Sequence, residues 1–76
     1  MLKLDKTMTS AKVIEMLQEV GYGYEITYEG DTDEVNSISY TPNRAEFNEY
    51  ENEIYEVEFN EFDLVEEHYQ WDEQED

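Results

Sequence analysis

Acidic and large apolar side chains alternate in the second half of the chain, and this alternation most constrains the fold. From Tyr55 to Phe59 every second side chain is large and apolar, and Glu56 and Glu58 lie between them. Such alternation with strong strand formers predicts a half-buried strand over residues 53–59. A helical period through Phe47, Tyr50, Ile54 and Val57 also fits, so a longer helix is the alternative.

The acidic segment over residues 46–76 is rich in aromatic side chains. It contains fourteen Asp or Glu, no Lys or Arg, and seven of the eleven aromatic residues of the chain. Disordered acidic tails are poor in aromatics because they cannot bury enough apolar surface to fold. The segment is therefore expected to fold and to expose a dense row of carboxylates. A solvated acidic face without a partner is the plain alternative.

The net charge of −18 on 76 residues restricts the possible partners. Nucleic acids and anionic lipids would repel such a chain, whereas a strongly basic protein would attract it. The charge is also uneven. Residues 1–30 hold five acids and three lysines, net −2, and residues 31–76 hold seventeen acids and one arginine, net −16. We therefore expect a structural first half and a functional acidic half.

The first half of the chain predicts a helix followed by a hairpin. Apolar residues at helical spacing predict a helix over residues 11–20, with Thr9 or Ser10 as N-cap and Gly21 as its end. Alternating residues predict strands over residues 22–29 and 35–40, joined by a turn at residues 30–33. A short edge strand over residues 2–5 is also expected.

The remaining elements complete a single α+β domain over residues 1–76. Thr41 and Pro42 indicate a short helix to about residue 50, with an open loop as the alternative. We expect a last short helix over residues 62–69 and a frayed acidic tail over residues 72–76. The predicted fold is a small antiparallel sheet of three or four strands with an N-terminal helix and one or two short helices.

The sequence shows no pattern typical of a catalytic site or a metal site. The chain has no cysteine, and one histidine does not make a zinc site. A calcium loop starting at Asp31 would need glycine at its sixth position and glutamate at its twelfth, where Asn36 and Pro42 stand. We therefore expect no enzyme activity and no cofactor. Negative charge from Glu66 and Glu67 would raise the pKa of His68, but an ordinary exposed histidine on the acidic face is the favoured interpretation.

Location and assembly follow from size and hydropathy. No apolar run approaches the roughly 20 residues of a membrane span, and no signal-peptide pattern is visible, so we expect a cytoplasmic protein of a bacterial host cell. A domain this small gains buried area by oligomerisation. The apolar side chains of Phe59, Phe62, Val65 and Trp71 lead us to expect a homodimer.

In composition and layout, residues 31–76 resemble phage-encoded DNA-mimic inhibitors, which are short, cysteine-free, acidic proteins that occupy the DNA site of a host protein. The resemblance implies inhibition of uracil-DNA glycosylase, restriction enzymes, CRISPR effectors, RNA polymerase or histone-like HU proteins. Residues 28–34 look like the acidic hairpin of the uracil-DNA glycosylase inhibitor. The Glu-Ser-Ile strand of that family has only the triplet Asn36, Ser37 and Ile38 as its counterpart here.

An HU-type target fits the physics best, because a protein that grips DNA by its backbone is satisfied by charge alone. An acidic adaptor that binds through Tyr69 and Trp71 is the alternative of another class. The predicted partner-binding surface consists of thirteen acids: Asp31, Asp33, Glu34, Glu46, Glu49, Glu51, Glu53, Glu56, Glu58, Glu61, Asp63, Glu66 and Glu67.

Overall fold

The computed structural model describes residues 2–42 and 54–70. One helix and four strands occur in these ranges: α1 Ser10–Val20, β1 Gly23–Tyr28, β2 Val35–Thr41, β3 Tyr55–Phe59 and β4 Val65–Gln70. The strands form one antiparallel sheet in the order β1-β2-β3-β4. The predicted class, a small α+β fold with an antiparallel sheet and an N-terminal helix, is confirmed.

Helix α1 begins and ends as its sequence predicts. The Thr9 side chain accepts a hydrogen bond from the Lys12 N–H at the first turn, which is the role of an N-cap. Gly21 has φ 78°, the left-handed conformation that ends helices, and its N–H bonds back to the last turn. Val13 and Leu17 are fully buried and form the contact of the helix with the sheet.

The sheet divides its side chains between a covered inner face and an outer face. Ile26, Ile38 and Val57 are opposite one another on neighbouring strands, and they belong to or pack against the core under α1. Tyr55 and Phe59 point to the same side of β3 and are also buried. Strand side chains alternate between faces, so the acids of β3 must lie on the outer face. The strand predicted over residues 53–59 is confirmed at Tyr55–Phe59.

Two of the predicted elements are wrong. The helix expected over residues 62–69 is a turn followed by β4. The edge strand expected over residues 2–5 does not form; instead Thr9 bridges to Leu64, and Leu2 and Leu4 pack on the core. The longer helix through residue 57 is also excluded, because that part of the chain is β3. The helix or loop expected after Pro42 lies mostly outside the described residues, as does the tail.

The β3–β4 turn is held by the side chain of Asn60. Its Oδ1 accepts hydrogen bonds from the N–H groups of Phe62, at 2.8 Å, and Leu64, at 3.1 Å. The Asp63 N–H bonds to the Asn60 carbonyl, and Asp63 itself has φ 64°. A turn closed by a left-handed residue is a usual three-residue hairpin loop. This turn occupies the start of the segment where a helix was expected, residues 62–69.

The apolar row that suggested a homodimer does not form in the described part of the chain. Phe59 and Val65 are buried in the core of the single chain, whereas Phe62 is exposed at the turn. Trp71 lies outside the described residues. The homodimer remains a prediction that sedimentation equilibrium can test, and its basis in these side chains is weaker than the sequence suggested.

His68 is half-buried on the inner face rather than exposed among carboxylates. Its Nε2 lies 2.7 Å from the hydroxyl of Tyr40, whose side chain is fully buried and also accepts a bond from the Leu2 N–H. Burial lowers the pKa of His68, and the positive charge of the chain's amino terminus acts in the same direction. The raised pKa considered from the sequence is therefore wrong, because the imidazole is buried on the inner face and Glu67 points to the outer face.

This lowered pKa makes stability depend on pH near neutrality. The unfolded chain has an ordinary His pKa of about 6.5, so it binds a proton before the folded chain does as pH falls. The free energy of unfolding should therefore fall with pH by up to about 1.4 kcal/mol per unit between the two pKa values. His68→Gln keeps an acceptor for Tyr40 but does not titrate. Urea denaturation from pH 8 to 5 should show the native chain losing stability relative to this variant, and parallel curves would contradict the assignment.

Candidate partner-binding surface

The outer face of the sheet carries two rows of side chains that run across all four strands. One row is Glu25, Ser39, Glu56 and Tyr69, and the other is Thr27, Ser37, Glu58 and Glu67. Neighbours within a row have Cβ atoms about 5 Å apart, and the two rows are about 6.8 Å apart along each strand. Three carboxylates therefore converge on the β3–β4 half of this face. We call Glu56, Glu58, Glu67 and Tyr69 the outer-face cluster.

A β-bulge brings Glu67 to this face. Val65 is opposite Phe59 and points into the core, so regular alternation would point Glu67 inward as well. The register shifts between Glu58 and Phe59, which leaves Glu66 as the extra residue and places Glu67 opposite Glu58. The shift keeps Val65 in the core and exposes both glutamates in sequence.

The carboxylates of the outer-face cluster act on Tyr69. The Tyr69 hydroxyl donates a hydrogen bond to Glu58 Oε2 at 2.9 Å. Desolvation, this hydrogen bond and the charges of Glu56, Glu58 and Glu67 raise the pKa of Tyr69 to about 12. Three carboxylates thus share the surroundings of one phenol, although like charges directly opposite on neighbouring strands destabilise a sheet. Residues 54–70 themselves contain no Lys or Arg.

Two acidic turns lie side by side at one end of the sheet. The β1–β2 loop and the β3–β4 turn enclose a cleft of about 320 Å³, with Val35 and Phe59 as its apolar residues. The polar residues of the cleft are Glu29, Glu34, Asn60, Glu61 and Asp63. Both turns leave the same end because alternate strands of an antiparallel meander run in the same direction.

The β1–β2 loop is ordered by Thr32. Its hydroxyl donates to the Glu29 carbonyl at 2.7 Å and accepts from the Glu34 N–H at 3.1 Å. Gly30 has φ 55°, which a glycine adopts without strain. These bonds use the backbone and a neutral side chain, so the carboxylates of Asp31 and Asp33 stay exposed.

The structure distributes the predicted acids over several places. The outer face holds Glu56, Glu58 and Glu67, and the bulge holds Glu66. The two turns hold Asp31, Asp33, Glu34, Glu61 and Asp63. The remaining four, Glu46, Glu49, Glu51 and Glu53, lie outside the described residues. The ridge expected from sequence is thus, in the described part, one face and one end of a sheet.

Asp63 has a structural partner that the sequence did not indicate. Its Oδ2 accepts hydrogen bonds from the N–H and the hydroxyl of Ser10, at 3.3 and 3.1 Å. Ser10 begins α1, where a negative charge is favourable because of the exposed N–H groups and the helix dipole. Asp63 therefore ties the β3–β4 turn to the helix, 53 residues away in sequence.

Sequence reasoning also assigned Tyr69 only to the adaptor alternative. Its phenol lies among the acids because β4 is a strand, which the sequence did not predict. Strand pairing places it next to Glu56 and diagonal to Glu58. The spacing of Glu67 and Tyr69 would indicate that both lie on the outer face, but only if this segment is assumed to be a strand.

Comparison with protein-family models, with curated proteins and with solved structures finds no match for this chain. No helix within residues 2–42 and 54–70 has the length and apolarity needed to cross a membrane. The same ranges hold no group of three or more His, Asp or Glu side chains arranged to hold a metal ion.

The Ser10–Asp63 link predicts coupled losses of stability. Asp63→Asn keeps a side chain that tolerates a positive φ but removes the charge at the helix start, and it should lower the free energy of unfolding by about 1 kcal/mol. Ser10→Ala should cost a similar amount. The double variant should lose less than the sum of the two, because both changes weaken the hydrogen bond from the Ser10 hydroxyl to the Asp63 carboxylate. Urea denaturation measures all three, and strictly additive losses would show that the contact contributes nothing.

Proposed function

We propose that this protein is an acidic DNA mimic that occupies the DNA-binding surface of a basic host protein and blocks its DNA binding. One observation carries the proposal: Glu58 and Glu67 are directly opposite each other on the outer face, and residues 54–70 contain no Lys or Arg. Like charges in this position reduce stability. A sheet that retains them is best explained by a cationic ligand for that face.

The charge density of the chain supports the proposal that it mimics DNA. Duplex DNA carries one negative charge per roughly 1.7 Å of its axis, so eighteen charges correspond to about 30 Å of duplex. That length is close to the diameter of a small domain. The carboxylates of β3 and β4 are carried by a hydrogen-bonded sheet, so little backbone freedom would be lost on binding.

An HU-type nucleoid protein is the favoured partner. Proteins of this kind bind DNA mainly through its backbone and its deformability, and they read few base edges. The outer-face cluster offers carboxylates and one phenol, with no groove-like pattern of donors and acceptors. An inhibitor of a glycosylase, a CRISPR effector or a restriction enzyme would need to imitate base edges or a groove in addition to phosphates.

Competition with DNA tests the proposal. A purified HU-type protein is bound to labelled duplex, and the chain is added at increasing concentration. The chain should release the duplex, and Glu58→Gln/Glu67→Gln should need on the order of tenfold more protein to do so, with a weaker dependence on salt. The variant retains side chains of the same shape, so the sheet should form as before.

The matched control is Glu15→Gln/Glu19→Gln on α1. It changes the net charge by the same amount and also removes two exposed acids one helical turn apart, on the face of the domain that the helix covers. It should compete nearly as well as the native chain. Equal competition by both double variants, with both folded, would reject the outer face as the binding surface. Partner binding that duplex cannot displace would instead favour the acidic adaptor.

A further inference from the structure

Residues 2–4, which we call the arm, pack against the core ahead of α1. Leu2 and Leu4 contact the core, and Lys3 between them is exposed. The Leu2 N–H donates a hydrogen bond to the hydroxyl of Tyr40 at 3.3 Å, which ties the start of the arm to β2. Both leucines are only partly buried, so the arm is held less firmly than the paired strands of the sheet.

The hydroxyl of Tyr40 joins the arm to His68. Its oxygen accepts the Leu2 N–H and lies 2.7 Å from Nε2 of His68. The side chain of Tyr40 is fully buried, and residues 2–42 and 54–70 offer its hydroxyl no further hydrogen-bond partner. A hydroxyl has one hydrogen to donate, so all three groups are satisfied when His68 is neutral and its Nε2 accepts that hydrogen.

Protonation of His68 breaks this arrangement. An imidazolium carries a hydrogen on both ring nitrogens, so Nε2 becomes a donor and the oxygen of Tyr40 has to accept from it. The hydroxyl hydrogen of Tyr40 is then left without an acceptor in a buried position, which is costly. Burial raises the pKa of Tyr40 to about 12, so the phenol does not relieve the conflict by losing its own proton.

The other groups around His68 do not stabilise its charged form. On β3 its inner-face neighbours are Tyr55 and Val57, which carry no charge in this pH range, and the residues that α1 contributes to the core are apolar. On β4, Glu66 is exposed at the bulge and Glu67 points to the outer face. The positive charge of the chain's amino terminus opposes an imidazolium.

The segment between the arm and α1 has its own anchors. Asp5 Oδ1 accepts the Thr7 N–H at 2.8 Å, and the Val65 N–H donates to the Met8 carbonyl at 3.0 Å. Hydrogen bonds from the Thr7 hydroxyl and N–H lower the pKa of Asp5, so its carboxylate stays charged while a histidine titrates. A movement of the arm can therefore end at Asp5.

We propose that the arm is a pH-sensitive cover over Tyr40, and that protonation of His68 opens it. Water then reaches the Tyr40 hydroxyl and accepts its hydrogen, which removes the conflict. The arm moves and β4 does not, because Leu2 is held by partial packing and a long hydrogen bond, whereas His68 lies in a strand paired with β3. This inference goes beyond the proposed function, since the arm lies on the inner face.

Methyl NMR of the full chain tests the cover. Leucine methyl signals and the His68 ring signals are followed from pH 8 to 5. The signals of Leu2 and Leu4 should move toward those of an exposed leucine as His68 titrates, and the ratio of closed to open arm should fall by up to about tenfold per pH unit below about pH 6.5. Leu17, which is fully buried under α1, should not move.

Three single variants identify the groups responsible. His68→Gln retains an acceptor for the Tyr40 hydroxyl but does not titrate, so the arm should stay closed at pH 5. Tyr40→Phe retains the ring without the hydroxyl, so its arm signals should no longer follow pH. Asp5→Asn is the matched control, because it removes the carboxylate next to the arm and should keep the native midpoint.

Arm signals that stay fixed while His68 titrates would show that the ring turns to solvent instead, and would overturn the inference. Movement of Leu17 together with the arm would indicate unfolding of the whole domain and would also overturn it. An arm that still opens at low pH in His68→Gln would do the same, whether or not Tyr40→Phe folds. DNA competition by the outer-face cluster, on the other side of the sheet, would stand in each of these cases.

Discussion

Packing of Tyr55, Val57 and Phe59 against α1 and the inner face determines where the acids of β3 point. Successive strand side chains alternate between faces, so burial of these three residues forces Glu56 and Glu58 outward. A shift of one residue in the pairing of β3 would bury two carboxylates and expose the three apolar side chains. That change would cost more than the free energy of unfolding of a small domain. The residues that form the core therefore also determine which acids lie on the outer face.

The second half of the acidic face depends on a departure from that regularity. Val65 and Glu67 are two residues apart and would share a face in a regular strand, yet one is buried and the other is opposite Glu58. The bulge at Glu66 separates them. Another register shift, between Thr27 and Tyr28, occurs at the same end of the sheet. Bulges increase local twist, and both lie next to the acidic turns that enclose the cleft.

These features explain how much of the molecule its sequence predicts. Helix α1 and strands β1 to β3 have clear periods and clear end signals, so pattern reasoning identifies them. In β4 the adjacent Glu66 and Glu67 break the period of two, so the sequence does not predict this strand. The bond between Asp63 and Ser10 joins residues that are 53 positions apart, and no local pattern signals it.

The pKa of His68 also could not be predicted from its neighbours in sequence. Its neighbours in sequence are Glu67 and Tyr69, which point to the outer face, whereas His68 points inward to Tyr40. Sequence proximity to acids would indicate a raised pKa, but strand alternation places the imidazole on the other side of the sheet. The same alternation makes Glu56 and Glu58 predictable members of the outer face, because their apolar neighbours mark which side is buried.

The arrangement also explains how a small domain tolerates its charge. The repulsion between Glu58 and Glu67 acts on the outer face, at a distance from the apolar contacts that α1 makes with Ile38 and Val57 on the other face. Each carboxylate stays hydrated, so its cost is the screened repulsion and not the larger penalty of burial. A cationic partner would cancel that repulsion when it binds the native state, and would stabilise the fold by mass action. Repulsion in the free protein and attraction to a basic surface thus come from the same side chains. The charge that weakens the free domain would then favour its complex with a basic partner.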